Sequence, residues 1–274
     1  MRTGFVTVLT NEVCKGLRFA WSERLQILIE LPMFAAFIVL LGPLLGQGQQ
    51  VVGGQVSWSL DSGSTSILVV WFVPFIFFYM QVVKMFWRLL GEIQAGTIEQ
   101  VYLSPLPSWL VAAAGRAVAA FLETLMVAAG TYGIVSAFVP IHIDWNVAAA
   151  LPAVMAIVAS VGASLMVAGA TLVWKRIQLV NDTVLMVVML FSASAVPLVD
   201  VPHWWAAASH FFPLTDVVGS LYRTLVADQS VTAPWGIGGL VPTLVAPSAY
   251  LAVGVLVFSL GERAAKRRGT LGRY

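Results

Sequence analysis

The chain reads as an all-α membrane protein with six transmembrane helices. An amphipathic interface helix precedes the first, and short re-entrant or external helices precede the last. Three observations predict this class. Hydrophobic residues make up 59% of the 274, and charged residues only 10%. Mean hydropathy is +0.88. Soluble domains carry roughly 25% charged residues, so the bilayer must solvate most of this chain. Second, long apolar runs fall at Leu25–Leu45, Ile67–Phe86, Trp109–Val139, Ala148–Val173, Leu179–Val199 and Leu240–Leu260. Each is long enough to cross ~30 Å of hydrocarbon, and none alternates as barrel strands do. Third, of the 15 lysines and arginines, all except Arg223 fall on one side of those runs. The positive-inside rule then places both termini in the cytoplasm.

Residues 1–24 open a single transmembrane domain covering residues 1–274. Val6, Leu9, Val13, Leu17 and Ala20 or Trp21 recur at helical spacing, with Glu12, Lys15, Arg18 and Ser22 elsewhere on the wheel. The pattern predicts a helix on the inner leaflet, either a plain anchor or a lever into the first span. It holds no continuous apolar core, so no cleavable signal peptide is expected. Cys14 is the sole cysteine, which excludes an intramolecular disulfide and a thiolate metal cluster.

Two acids fall inside spans, Glu30 in the first and Glu123 in the third. Ionisable groups at that depth are costly and often functional. Arg116 stands seven residues from Glu123, about 10 Å of rise, too far for a direct bond. Both acids read as structural or interfacial, ahead of a substrate path or proton carriage.

Between the second and third spans lies the most informative stretch, residues 87–107. It is polar and helix-capable. Gly96 is a break point, and Pro105 and Pro107 stop it before the third span. Acids at Glu92 and Glu99 mix with apolar Ile98, Val101, Tyr102 and Leu103, a surface suited either to a plain connector or to docking in a protein groove.

In the fourth span Ala156, Ser160, Ser164 and Ala168 form a small-residue stripe, read first as internal packing and second as an intersubunit contact. After the fifth span, residues 200–239 are too broken to cross and too apolar for a free loop. Short re-entrant or interfacial helices fit them, with Trp204 and Trp205 as belt residues. His203 and His210 lack a third metal ligand, so no metal site is expected.

The chain has no G-x-x-x-x-G-K-[ST], H-E-x-x-H or C-x-x-C, and no G-x-S-x-G with plausible triad partners. No catalytic residue is expected, and the bundle itself becomes the working part. That points to transport.

The stretch Glu92-x-x-x-Gly96-Thr97-Ile98-Glu99-Gln100-x-x-x-Ser104-Pro105 resembles the E-x-x-x-G-T-L-E-q-l-x-x-(S/T)-P signature of ABC-2 type permeases, the membrane subunits of bacterial ABC exporters. The surface helix, six spans, cytoplasmic termini and a Pro213-Leu-Thr215…Arg223 run agree with that family. The departures are Ile98 for the commoner Leu and a rather polar outer loop, Gln47–Ser66. The resemblance implies that the stretch is a cytoplasmic coupling helix seated on an ABC ATPase subunit. Glu92, Gly96, Thr97, Glu99, Gln100, Ser104 and Pro105 would then be the coupling residues. It further implies a second permease half (identical or not), ATP and Mg on the partner alone, and the cytoplasmic membrane as the location. Partners are the ATPase, the second half and lipid, with no nucleic acid.

On that footing the substrate path lies between the halves, near the second and fifth spans, at Phe72, Phe75, Phe78, Tyr79, Met186 and Met189. Such a lining suits a lipophilic or amphipathic, drug- or antibiotic-like substrate. For any one of these residues, plain lipid contact is the simpler reading. A lipid-linked polysaccharide exporter of the same family is an alternative. So is an ion-coupled secondary transporter, although no internal repeat is evident.

Overall fold

The computed structural model describes residues 2–45, 49–52, 55–58, 62–96, 108–139, 141–174, 177–195, 202–229 and 233–268. Helix dominates. The order is α1 (Arg2–Ser22), α2 (Arg24–Leu45), β1 (Gln49–Val52), β2 (Gln55–Trp58), α3 (Ser62–Gln94), α4 (Ser108–Phe138), α5 (Ala150–Val173), α6 (Gln178–Ser192), α7 (His203–Ser209), α8 (Thr215–Leu225) and α9 (Leu240–Arg268). Among the described residues, Thr65–Gln94, Ala117–Phe138, Val147–Val173 and Leu240–Arg268 are long and apolar enough to cross a membrane. This is a membrane-embedded helical protein.

Side-chain contacts fix the helix directions. Phe34 of α2 meets Tyr79 while Phe37 stacks on Phe72, so α2 opposes α3. Phe121 of α4 meets Phe77, and Gln81 donates to the Ala117 carbonyl, so α4 opposes α3 as well. Leu165 and Leu172 of α5 pack with Met85, Leu89 and Ile93 of α3 and Phe258 of α9, and these three helices run in parallel. Trp71 near the start of α3 donates to Ser192 at the end of α6, at 3.1 Å. Thus α2, α4 and α6 run one way and α3, α5 and α9 the other.

The tightest contact in the bundle is between α5 and α9. A side chain at Gly254 would overlap the Gly162 carbonyl oxygen, and one at Gly162 would stand 2.5 Å from Tyr250 backbone. Gly169 and Gly261 repeat the contact seven residues on. Lipid is as apolar as leucine, so close backbone approach and dispersion, not hydrophobic exclusion, hold such a seam. The stripe Ala156, Ser160, Ser164 and Ala168 is buried within the chain, in accord with internal packing.

Three features differ from the sequence expectation. The polar segment between α2 and α3 contains an antiparallel hairpin, Val51 opposite Val56 and Val52 opposite Gln55. The fold is all-α in class, with this one small hairpin added to it. Next, α3 does not stop at Phe86. It continues to Gln94 through Pro74, a 33-residue rod whose last two turns are the start of the polar segment. Finally, α6 is only 15 residues, against the longer run expected to Val199, and a single 3-10 turn at Ala193–Ala195 extends it.

Candidate functional site

At the end of the bundle holding α1, the foot of α3 carries Lys84, Arg88 and Glu92. Their i, i+4 spacing puts all three on one helical face. Lys84 Nζ lies 2.8 Å from Glu123 Oε1 of α4 and 3.0 Å from Glu23 Oε2 at the α1–α2 elbow. Arg88 Nη2 bonds the other oxygen of Glu123. Glu92 Oε1 accepts from Lys15 of α1 at 2.8 Å. Three acids meet three cations, so the cluster is neutral overall. Glu123 is fully buried, at 0% exposure. Such a cluster ties α1, the elbow, α3 and α4 into one body, because stranding any buried charge costs several kcal/mol.

Just past this cluster α3 ends. Gly96 holds φ +69°, the left-handed region that suits glycine at a helix C-terminus. Of the residues that the signature resemblance singled out, Glu92 and Gly96 are therefore placed at the foot of α3. Thr97, Glu99, Gln100, Ser104 and Pro105 lie outside the described residues.

On the side of α3 facing α6 is an open groove of about 360 Å³. Its walls include Phe34 of α2, Phe75, Tyr79 and Trp87 of α3, and Asp182, Met186 and Met189 of α6. The predicted path residues Phe75, Tyr79, Met186 and Met189 come together here. Phe72 and Phe78 do not line it. Phe72 is buried behind the groove between Phe34 and Phe37, and Phe78 is packed in the core. Met186 is 64% exposed and Trp87 48%, so the groove opens outward from the bundle.

Sequence reasoning missed Asp182, Phe34 and Trp87 as lining residues. The stripe 178, 182, 185, 186, 189 was a usable signal, because those spacings share one helix face. Reading Lys84 and Arg88 as loop cations hid the partners of Glu123. Counting back one turn from Glu92 to Arg88 and a second to Lys84 would have put all three on one side of α3.

A second polar cluster sits at the opposite end. His210 Nδ1 is 2.9 Å from Asp216 Oδ1, and the Gly238 N–H donates to the same oxygen at 3.3 Å. Thr243 donates to the Asp216 carbonyl, and Ser220 donates to the Gly238 carbonyl at 2.9 Å. Burial raises the Asp216 carboxyl above its ordinary value, while His210 and the Gly238 amide partly offset that. These bonds lock α8 against α9. Phe191 of α6 stacks on Trp205 and Phe212 at 4.3 and 4.4 Å, so Trp205 packs inward instead of serving as a simple belt residue.

No protein-family model matches the chain, and no curated protein matches it.

Proposed function

We propose that this chain is the membrane subunit of an ATP-driven exporter whose ATPase is a separate polypeptide. The observation that carries the reading is the run Glu92 to Pro105, with the spacing quoted above, at the foot of the longest helix. The ion cluster supports it. A force applied beyond Gly96 meets a stiff rod, and the rod is bonded to α1, to the α1–α2 elbow and to α4. Movement at the foot is thereby shared among four helices instead of being absorbed in one loop.

The alternating directions of α2, α3, α4, α5, α6 and α9 support six crossings, with both termini on the side where the cations gather. On this reading α2 and α6 cross too, α6 with help from its 3-10 turn. The groove between α2, α3 and α6 opens where a second membrane half would face it, and its aromatic and methionine lining suits an amphipathic substrate. Neither the ATP nor its phosphate loop belongs to this chain.

The test is co-purification with any soluble phosphate-loop ATPase that the neighbouring reading frame proves to encode. Wild type should bind that ATPase and stimulate its turnover, whereas Glu99→Ala should lose both while keeping a wild-type melting profile, and Gly96→Pro should lose both with only a local loss of stability at the foot of α3. Intact binding and stimulation in both variants would overturn the coupling assignment.

A further inference from the structure

We propose that the groove between α2, α3 and α6 selects lipophilic monocations, with Asp182 as the charge that recognises them. This deepens the export reading by naming the substrate class, and it rests on that reading.

Four aromatic side chains line the groove: Phe34, Phe75, Tyr79 and Trp87. Phe34 meets Tyr79 edge-on at 6.4 Å between centroids, and Phe75 and Tyr79 lie 6.1 Å apart. Ring faces of this kind attract a cation through the π-electron quadrupole, more strongly once water is stripped away. Purely apolar cargo would need no charge nearby, yet the α6 wall brings a carboxylate. Asp182 is in the lining, and both Asp182 and Glu30 lie within electrostatic reach of the Tyr79 hydroxyl. Glu30 stands one turn before Phe34 on α2 and accepts from Gln26 at 2.7 Å, leaving its second oxygen without a hydrogen bond among the described residues.

The cations at this level are otherwise engaged. Lys84 bonds Glu23 and Glu123, and Arg88 bonds Glu123. No described lysine or arginine forms an ion pair with Asp182. Among the described residues the groove lining carries one carboxylate and no cation, so an anionic amphiphile would meet repulsion where a cationic one meets attraction. The volume, about 360 Å³, fits a compact multi-ring molecule. Met186 and Met189 add a deformable wall that accommodates varied ring shapes. Supply also favours this class, because anionic lipids concentrate lipophilic cations at the cytoplasmic leaflet.

Three probes of like shape separate charge from size: tetraphenylphosphonium, tetraphenylborate and neutral triphenylphosphine oxide. Binding is measured by equilibrium dialysis on the full chain in an uncharged detergent. Tetraphenylphosphonium should bind saturably and at least about tenfold tighter than the other two. Asp182→Asn should weaken it roughly five- to tenfold, and Asp182→Glu should restore most of it. Asp144→Asn, an exposed acid at the other end, should leave it unchanged. Equal binding of the borate or the oxide, or unaltered cation binding by Asp182→Asn, would overturn the proposal. So would the absence of saturable binding. The two readings fail separately. Selective binding without ATP-driven movement of the phosphonium in vesicles would defeat export and leave the cation site. ATP-driven movement of a neutral or anionic compound, with charge-blind binding, would do the reverse.

Discussion

The α5–α9 seam and the α2–α6 face of the same bundle are built by opposite rules. At the seam, glycines bring two parallel helices to backbone contact at Gly162–Gly254 and Gly169–Gly261. Across α3, the helices α2 and α6 leave a groove between them, with Met186 and Leu179 largely exposed. Packing without voids transmits force but does not adapt, whereas long unpartnered side chains adapt at low cost. The seam is thus the fixed half of the molecule and the α2–α6 face the half able to open. Under the proposed export cycle, the ion cluster at the foot of α3 joins the half that opens to the helix that is pushed.

Glu123→Gln attacks that joint and should have the largest effect. The change keeps the volume of Glu123 but strands the buried Arg88 guanidinium, while Lys84 retains Glu23. Loss of one member of a buried pair costs roughly 3–5 kcal/mol. Hydrogen exchange should show α1 and α4 opening while α5 and α9 stay protected. Uniform loss of protection would mean that the two halves are not mechanically distinct.

The seam is broken by Gly254→Val, whose side chain has no room against Gly162. Overpacking of this kind costs about 1–3 kcal/mol, and here it should sit at the upper end because backbone cannot rotate aside. The melting temperature should drop, with exchange rising along α5 and α9 first. Gly91→Val is the control, since nothing lies within 4 Å of a side chain there. Equal melting of the two variants would remove the seam from the argument.

Much of the helical layout was legible because a bilayer leaves little choice: every backbone group must be satisfied within the helix, so apolar runs become helices. The α5 and α9 runs match their helices closely at the start, and α2 matches at both ends. What the sequence hid depends on long-range geometry. Lys84 and Arg88 sit beside a polar stretch and read as loop cations, yet α3 extends past them and both face Glu123 on another helix. Two of the fourteen one-sided cations are therefore buried structural groups and weigh little in an orientation count. The hairpin at Gln49–Trp58 was hidden for another reason. Its eight paired residues are too few to display a strand period between two long helices. In the groove, the composition pointed to Phe75, Tyr79, Met186 and Met189, but residue type alone could not separate them from Phe72 and Phe78, which face other neighbours.

The smallest effect concerns how far the fixed half reaches. If the hydrogen bonds of Asp216 make α8 part of the seam, stability must follow its ionisation. Burial lifts the Asp216 carboxyl, so the folded chain holds that proton more firmly than the unfolded chain does. Its contribution is complete below the ordinary carboxylate value and declines as pH rises through the raised folded value. Asp216→Asn removes that ionisation and should flatten this part of the profile. Asparagine keeps an oxygen to accept from the Gly238 amide, so the lock itself survives. The check is the melting temperature of both forms across the acidic range, with exchange at α8 followed in parallel. A wild-type profile that rises over the same interval would give Asp216 the opposite sign and detach α8 from the fixed half.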